Sequence, residues 1–344
     1  MINYQAPNPY PEKKSFLSSL FSSSSPSTSK SIGKAVLPAQ QRKPQILDRY
    51  DLTAFASKNN LSIETGFIFT HDKASLETIH ITPMSQVKKP IRDHYFVVKF
   101  NGNNMQFADG IQHYSQDAKN LNCSVIGFDY RNVGNSEKEP RQFQDLVTDG
   151  IAQVQRLLDI GANPKHITLD GLSLGGAVAT MVASHFHQKG IRVYLWNDRS
   201  FSTLPKAAVG LLQIDTTSFS GECTQLSGES TTSTVLSSTG WNVDVANAYL
   251  SIPDEYKGYM VVAKKSDKSV GDGVIAHFAS LHKGVCKTEK NNKSITGFKM
   301  FAPENSYFAD HGGHNMPRTA LVSKDKRFTT GQDAFESFVN KHRM

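Results

Sequence analysis

Two rhythms of apolar and polar residues run along most of this chain. Over residues 61–70, and again over 76–81, apolar and polar positions take turns. A period of two marks strands with one face more buried than the other. With His71-Asp72-Lys73-Ala74 between them, the two runs predict an antiparallel hairpin. Further on, the strands change character. Residues 95–100, 123–130, 167–169, 192–196 and 259–262 are short, nearly continuous apolar runs. Strands covered on both faces have that pattern. A last strand is expected at 296–301. Helical periodicity fills the gaps. It is clearest over 143–160, where Val147, Ile151, Val154 and Leu158 recur and Gly161 stands at the C-cap position. Further helices are expected at 110–119, 177–190, 243–250, 274–281 and 332–341. Strands alternating with helices predict an α/β fold: a mostly parallel central sheet with helices on both faces.

The pattern fails in two places. Between Ser15 and Ser31, ten of seventeen residues are serine, and prolines stand at 7, 9, 11, 26, 38 and 44. Such a stretch buries too little apolar surface to offset its ordering entropy. Residues 1–44 therefore read as a disordered, Ser-rich basic leader, and 45–344 as the folded domain. The second break covers about fifty residues, with Ser, Thr and Gly dominating 215–240. An insertion over 206–257 is expected to form a cap or lid above the carboxyl ends of the strands.

Charge sharpens this division. The formal net charge is +7, but Lys13, Lys14, Lys30, Lys34, Arg42 and Lys43 against Glu12 leave +5 in the first 45 residues. The folded part is close to neutral, which argues against a nucleic-acid-binding surface on it. The basic leader, with Phe16-Leu17 and Leu20-Phe21, could make weak contact with an anionic membrane. Cys123, Cys223 and Cys286 are scattered, with no C-x-x-C, so neither a disulfide framework nor a zinc site is expected. No long apolar run suggests a membrane span or a cleaved signal peptide. These features predict a cytoplasmic protein.

The candidate chemistry sits at Gly171-Leu172-Ser173-Leu174-Gly175-Gly176. A strand precedes this run and a helix-forming stretch follows it. A G-x-S-x-G at such a turn lifts the serine hydroxyl off the sheet edge into a cleft. An activated serine needs a histidine base, and the base needs a carboxylate to orient it. His314, in Asp310-His311-Gly312-Gly313-His314-Asn315, is the expected base, with His311 second. A metal site from Asp310, His311 and His314 lacks a convincing fourth ligand. Two aspartates compete for the acid. Asp267 lies at the usual distance after the 259–262 strand, while Asp272 precedes the next helical stretch. Asp272 is preferred. The backbone N–H groups of Leu174 and of Asn103, in Asn101-Gly102-Asn103, are expected to form the oxyanion hole. Neither a cofactor nor a metal is called for, and the expected partner is a small acyl ester or lipid.

At these residues the chain resembles the α/β-hydrolase superfamily over about residues 60–340. The run Gly127-Phe128-Asp129-Tyr130-Arg131-Asn132-Val133-Gly134-Asn135-Ser136 is similar to the bud-emergence-type serine hydrolases. Asn197-Asp198-Arg199-Ser200-Phe201-Ser202, Trp241 with Ile252-Pro253, and 272–282 look like the SidB/Sdb group of bacterial type IV secretion effectors. The broader resemblance implies an ester-, lipid- or thioester-cleaving serine hydrolase. The narrower one implies delivery into a host cell without a cleaved signal peptide. Departures are Asn101 where histidine is common and Ala276 where proline is common.

Overall fold

A computed structural model of the chain describes residues 2–5, 26–45, 49–210, 219–262, 272–292, 306–309, 312–322 and 327–343. Its strands are β1 (Ile2–Gln5), β2 (Leu61–Phe69), β3 (Ser75–Pro83), β4 (Phe96–Phe100), β5 (Ser124–Phe128), β6 (Ile167–Leu172), β7 (Tyr194–Asp198), β8 (Lys257–Val262) and β9 (Ser306–Ala309). They form one nine-stranded sheet in the order β1-β2-β3-β5-β4-β6-β7-β8-β9. β3 runs antiparallel to both β2 and β5, and the other pairs are parallel. The helices are α1 (Pro26–Val36), α2 (Arg49–Lys58), α3 (Phe107–Asn120), α4 (Phe143–Asp159), α5 (Leu174–Gln188), α6 (Leu204–Gly210), α7 (Phe219–Ser238), α8 (Val245–Leu250), α9 (Leu281–Asn292) and α10 (Gly331–Lys341).

The apolar runs become strands because the sheet is covered twice. Along β4, Phe96, Val98 and Phe100 join the core under α4 and α5. Val97, pointing the other way, joins the core under α3 and α10. All four are almost fully buried. Burial of a side chain of this kind stabilises the fold by about 1.5–3 kcal/mol, so a period-two polar pattern would not survive here.

The Asp129–Ser136 run braces the end of β5 against its neighbours. An oxygen of the Asp129 carboxyl group accepts the Phe107 N–H at the start of α3 (2.7 Å). The Arg131 backbone N–H and Nε both donate to Asp149 of α4 (2.9 Å each), and its Nη1 reaches Asp72 in the β2–β3 turn (2.9 Å). Gly134 has φ +58, and a Cβ there would lie 2.4 Å from Asp129 Oδ2. Ser136 Oγ donates to the Asp129 carbonyl (3.0 Å) and accepts the Glu77 N–H (2.8 Å). The motif thereby ties α3, α4 and β3 to the end of β5.

The structure departs from the sequence reading in three places. The described part of the leader is not detached. α1 packs against Trp241, whose Nε1 donates to the Ser29 carbonyl (3.1 Å), and Leu37 and Ala39 are fully buried. Further along, Arg42 pairs with Asp109 (2.6 Å). A few well-placed apolar residues anchor a segment that composition alone marks as unpacked. Residues 6–25, with Phe16 to Phe21, lie outside the described residues. Second, much of the Ser/Thr/Gly stretch is helix α7. Thr231 and Thr234 hydroxyls donate to the carbonyls four residues back (3.0 Å each), so the polar side chains are satisfied within the helix. Third, 274–281 is a turn and a short 3-10 segment, His277–Ala279, with α9 starting only at Leu281. The strand expected at 296–301 falls outside the described residues; the sheet continues at β9. Among the described residues no helix is long and apolar enough to cross a membrane.

Candidate active site

The turn between β6 and α5 is as tight as its glycines allow. A Cβ on Gly171 would lie 2.3 Å from the Gly175 carbonyl oxygen, and one on Gly175 would lie 2.0 Å from that of Phe100. Any side chain at either position would push α5 away from the strand ends. Between them Ser173 adopts φ +56, ψ −118. Non-glycine residues rarely take this conformation, which costs about 1–3 kcal/mol. A hydrogen bond from its N–H to the Asp198 carbonyl (2.8 Å) helps to hold it. Leu174 follows as the first residue of α5, where a backbone N–H has no partner within the helix.

The Asn101-Gly102-Asn103 loop lies alongside. Phe100 pairs in register with Gly171, and a Cβ on Gly102 would sit 3.8 Å from the Leu172 carbonyl. The Asn101 amide donates to the Phe128 carbonyl (3.0 Å), and its oxygen accepts the Tyr114 hydroxyl (2.5 Å). The asparagine that replaces the common histidine thus pins the loop to β5 and α3. The Asn103 carbonyl accepts the Ala39 N–H (3.1 Å), so the anchored leader braces the loop from outside.

Across the sheet end, Asp272 and His314 come together. His314 Nδ1 is 2.6 Å from Asp272 Oδ2, and the His314 N–H donates to the Asp272 carbonyl (2.9 Å). Both side chains are buried. The other carboxylate oxygen, Oδ1, accepts the N–H groups of Val274 (3.0 Å) and Ile275 (2.6 Å). This is an Asx turn, with Gly273 at φ +93. A carboxylate oxygen only accepts, so Nδ1 carries the proton and Nε2 is left as the acceptor. Of the alternatives, Asp267 and His311 lie outside the described residues, as does Asp310 of the metal reading.

Beneath these groups lies a charged cluster that the sequence reading missed. Lys99 of β4 bonds Asp117 of α3 and Asp170 of β6, the latter at 2.5 Å. Arg318 reaches Asp170 (2.6 Å) and Asp198 (3.0 Å). Arg199 grips Asp198 with Nε (2.6 Å) and Nη2 (3.1 Å), while its Nη1 donates to the carbonyls of Gly313 (3.1 Å), His314 (2.7 Å) and Met316 (2.7 Å). Three cations meet three carboxylates, so the buried charges balance. Burial alone would raise the Asp198 carboxyl, but Arg199 and Arg318 hold it below the ordinary carboxylate range. Asp117 is likewise lowered, by Lys99 and Arg318 against its burial. The signal was present in the sequence: Lys99, Asp170 and Asp198 interrupt strands that are otherwise apolar.

A cavity of about 650 Å³ opens beside the cluster. Its lining includes Asn101, Met105, Leu172, Asn315 and Met316 but neither Ser173 nor His314.

No protein-family model matches the sequence, and no curated protein matches it. Solved structures do. An alpha-beta hydrolase from Vibrio vulnificus is 15% identical, with a TM-score of 0.55, 85% of this chain covered and 89% of that one. An acetyl xylan esterase from Paenibacillus sp. R4 is 12% identical, with a TM-score of 0.52 and coverage of 88% and 98%. An esterase from Pyrococcus furiosus is 17% identical, with a TM-score of 0.50 and coverage of 87% and 95%. At these identities the likeness is one of architecture, and the chain has the α/β-hydrolase fold. Nothing in these comparisons bears on the narrower effector resemblance.

Proposed function

We propose that this protein is a serine hydrolase that cleaves a carboxylic ester through an acyl-enzyme on Ser173. The observation that carries the reading is the buried Asp272–His314 pair, 2.6 Å between Oδ2 and Nδ1, in a chain whose Ser173 sits strained at the end of β6. In the first step Ser173 Oγ attacks the ester carbonyl carbon, and its proton passes to His314 Nε2. The tetrahedral oxyanion is met by the N–H groups of Leu174 and Asn103, each worth about 3 kcal/mol to the transition state. The C–O bond to the alcohol then breaks, and His314 returns the proton to the departing oxygen. Water enters next, gives a proton to His314 and attacks the acyl carbon. The carboxylic acid leaves, and Ser173 takes its proton back. Throughout, Asp272 holds the ring in one tautomer and stabilises the imidazolium.

The cavity is in the volume range of small-molecule sites, and Leu172 and Asn315, the chain neighbours of Ser173 and His314, line it. The structural neighbours named as esterases agree with ester cleavage, although fold alone does not choose a reaction. The test is labelling with a fluorophosphonate probe together with hydrolysis of p-nitrophenyl esters of graded acyl length. The wild-type protein is expected to react on both counts, and Ser173→Ala on neither. Turnover and labelling that survive in Ser173→Ala would overturn the assignment. A matched series of acyl-thioesters and phospholipids then separates esterase from thioesterase and lipase.

A further inference from the structure

Arg199 makes a connection that the proposed chemistry leaves unexplained. Its guanidinium is buried, with both Asp198 bonds on one edge and three carbonyls of the histidine loop on the other. The residue itself is strained, with φ +49 although it is not glycine. Its N–H donates to the Met260 carbonyl of β8 (2.9 Å), while the carbonyl of the preceding Asp198 accepts the Ser173 N–H (2.8 Å). One dipeptide therefore touches the serine through its backbone and the histidine loop through its side chain.

The loop needs such a partner. Between β9 and the 3-10 turn Arg318–Ala320, residues 312–317 belong to no strand or helix. Among the described residues their backbone bonds are His314 N–H to Asp272, Met316 N–H to Gly313, and Ala320 N–H to the Pro317 carbonyl. The carbonyls of Gly313, His314 and Met316 converge on a single point. Three converging carbonyl dipoles repel one another unless a cation sits between them. A charge-assisted bond from a guanidinium is about twice as strong as a neutral one. Asp272 holds the imidazole at its Nδ1 and the backbone at the His314 N–H, while Arg199 holds the carbonyl side of the loop.

We propose that Arg199 is a positioning residue for His314, setting the distance between the base and Ser173 by holding both to the end of β7. This rests on the serine-hydrolase reading. The rigid planar fork is required, because Nε and Nη2 are committed to Asp198 and only Nη1 is left for the loop. A lysine ammonium can occupy one side or the other, not both.

The test uses the full-length chain with Arg199→Ala and Arg199→Lys, assayed with a p-nitrophenyl ester. Misplacing a reacting group by about 1 Å costs about a hundredfold. Arg199→Ala is expected to lose about that much in kcat, with KM changed less than about threefold. Arg199→Lys is expected to remain impaired, by about tenfold or more in kcat. Millimolar guanidinium, well below denaturing levels, should restore about tenfold of the lost kcat in Arg199→Ala and none in Asp272→Asn. Rescue of this kind supports positioning. A loss of kcat that merely follows the lost folded fraction, without rescue, overturns it, and so does a kcat in either variant within about threefold of wild type. If Arg199→Ala does not fold, the kcat of Arg199→Lys decides by the same criterion. A wild-type protein that fluorophosphonate does not label fails the hydrolase reading itself. A labelled wild type with unaffected Arg199 variants fails only this proposal.

Discussion

Replacing Asp272 with asparagine isolates what the carboxylate does for His314. In the structure Oδ1 accepts two backbone N–H groups, from Val274 and Ile275, while Oδ2 faces His314 Nδ1. Asparagine is nearly the same shape, but only one of its two ends accepts. Two N–H groups at the Oδ1 position oblige the amide oxygen to stay there. The NH2 must then face His314 Nδ1, and it can donate only to an unprotonated nitrogen. The ring proton is forced to Nε2, where it blocks the base. Fixing the wrong tautomer costs about 10³–10⁴ in rate, or about 4–5.5 kcal/mol of transition-state stabilisation. Stability should change by less than about 1 kcal/mol, since every hydrogen bond is replaced rather than lost. The assay is kcat/KM on a p-nitrophenyl ester, with urea unfolding of the same samples as the control. Asp267→Asn runs in parallel and should leave kcat/KM within about threefold. If Asp272→Asn keeps a rate within about tenfold of wild type, the tautomer argument is wrong. If Asp267→Asn is the variant that collapses, the acid has been misassigned.

Two further outcomes test the frame around the site. Arg318→Met leaves Lys99 and Arg199 against three buried carboxylates, an imbalance expected to cost about 3–5 kcal/mol in urea unfolding. Adding Asp170→Asn should recover part of that loss, and a single variant as stable as wild type would show that the cluster is not coupled. Burial pushes the Asp129 carboxyl up to about 8, against the Phe107 N–H that favours its charge. The folded state then holds a proton that the unfolded chain releases near pH 4, so Asp129 makes stability fall as pH rises from about 4 to about 8, by up to about 1.4 kcal/mol per pH unit. Asp129→Asn should flatten that decline in chemical denaturation at a series of pH values. A wild-type slope that persists unchanged in the variant would place its origin elsewhere.

Much of the fold could be read along the chain because burial and period are local properties. The 61–70 and 76–81 alternation became β2 and β3. The apolar runs became β4 to β8, and the 3–4 spacing of Val147 to Leu158 became α4. α7 was less legible, since Ser and Thr stabilise a helix only when their hydroxyls find carbonyls within it. The anchored leader was hidden for a related reason. Leu37 and Ala39 are two buried apolar residues in a polar stretch, and the segment is held by partners remote in sequence, the Asn103 carbonyl at Ala39 and Trp241 at Ser29.

Acting alone, the order of residues determined the alternation of strand and helix, the glycine-bounded turn at Ser173, and which residue types followed it. Those are consequences of steric limits and periodicity within a few neighbours. Tertiary structure brought Asp272 to His314, because the Asx turn over Val274 and Ile275 occupies Oδ1 and leaves Oδ2 facing the ring. The same holds for the role of Asn101 as a brace and for the joining of Lys99, Asp117, Asp170, Asp198, Arg199 and Arg318 into one neutral cluster. A charge in an apolar strand announces that a partner exists. Only the packing of α3, β6, β7 and the histidine loop around it supplies the partner.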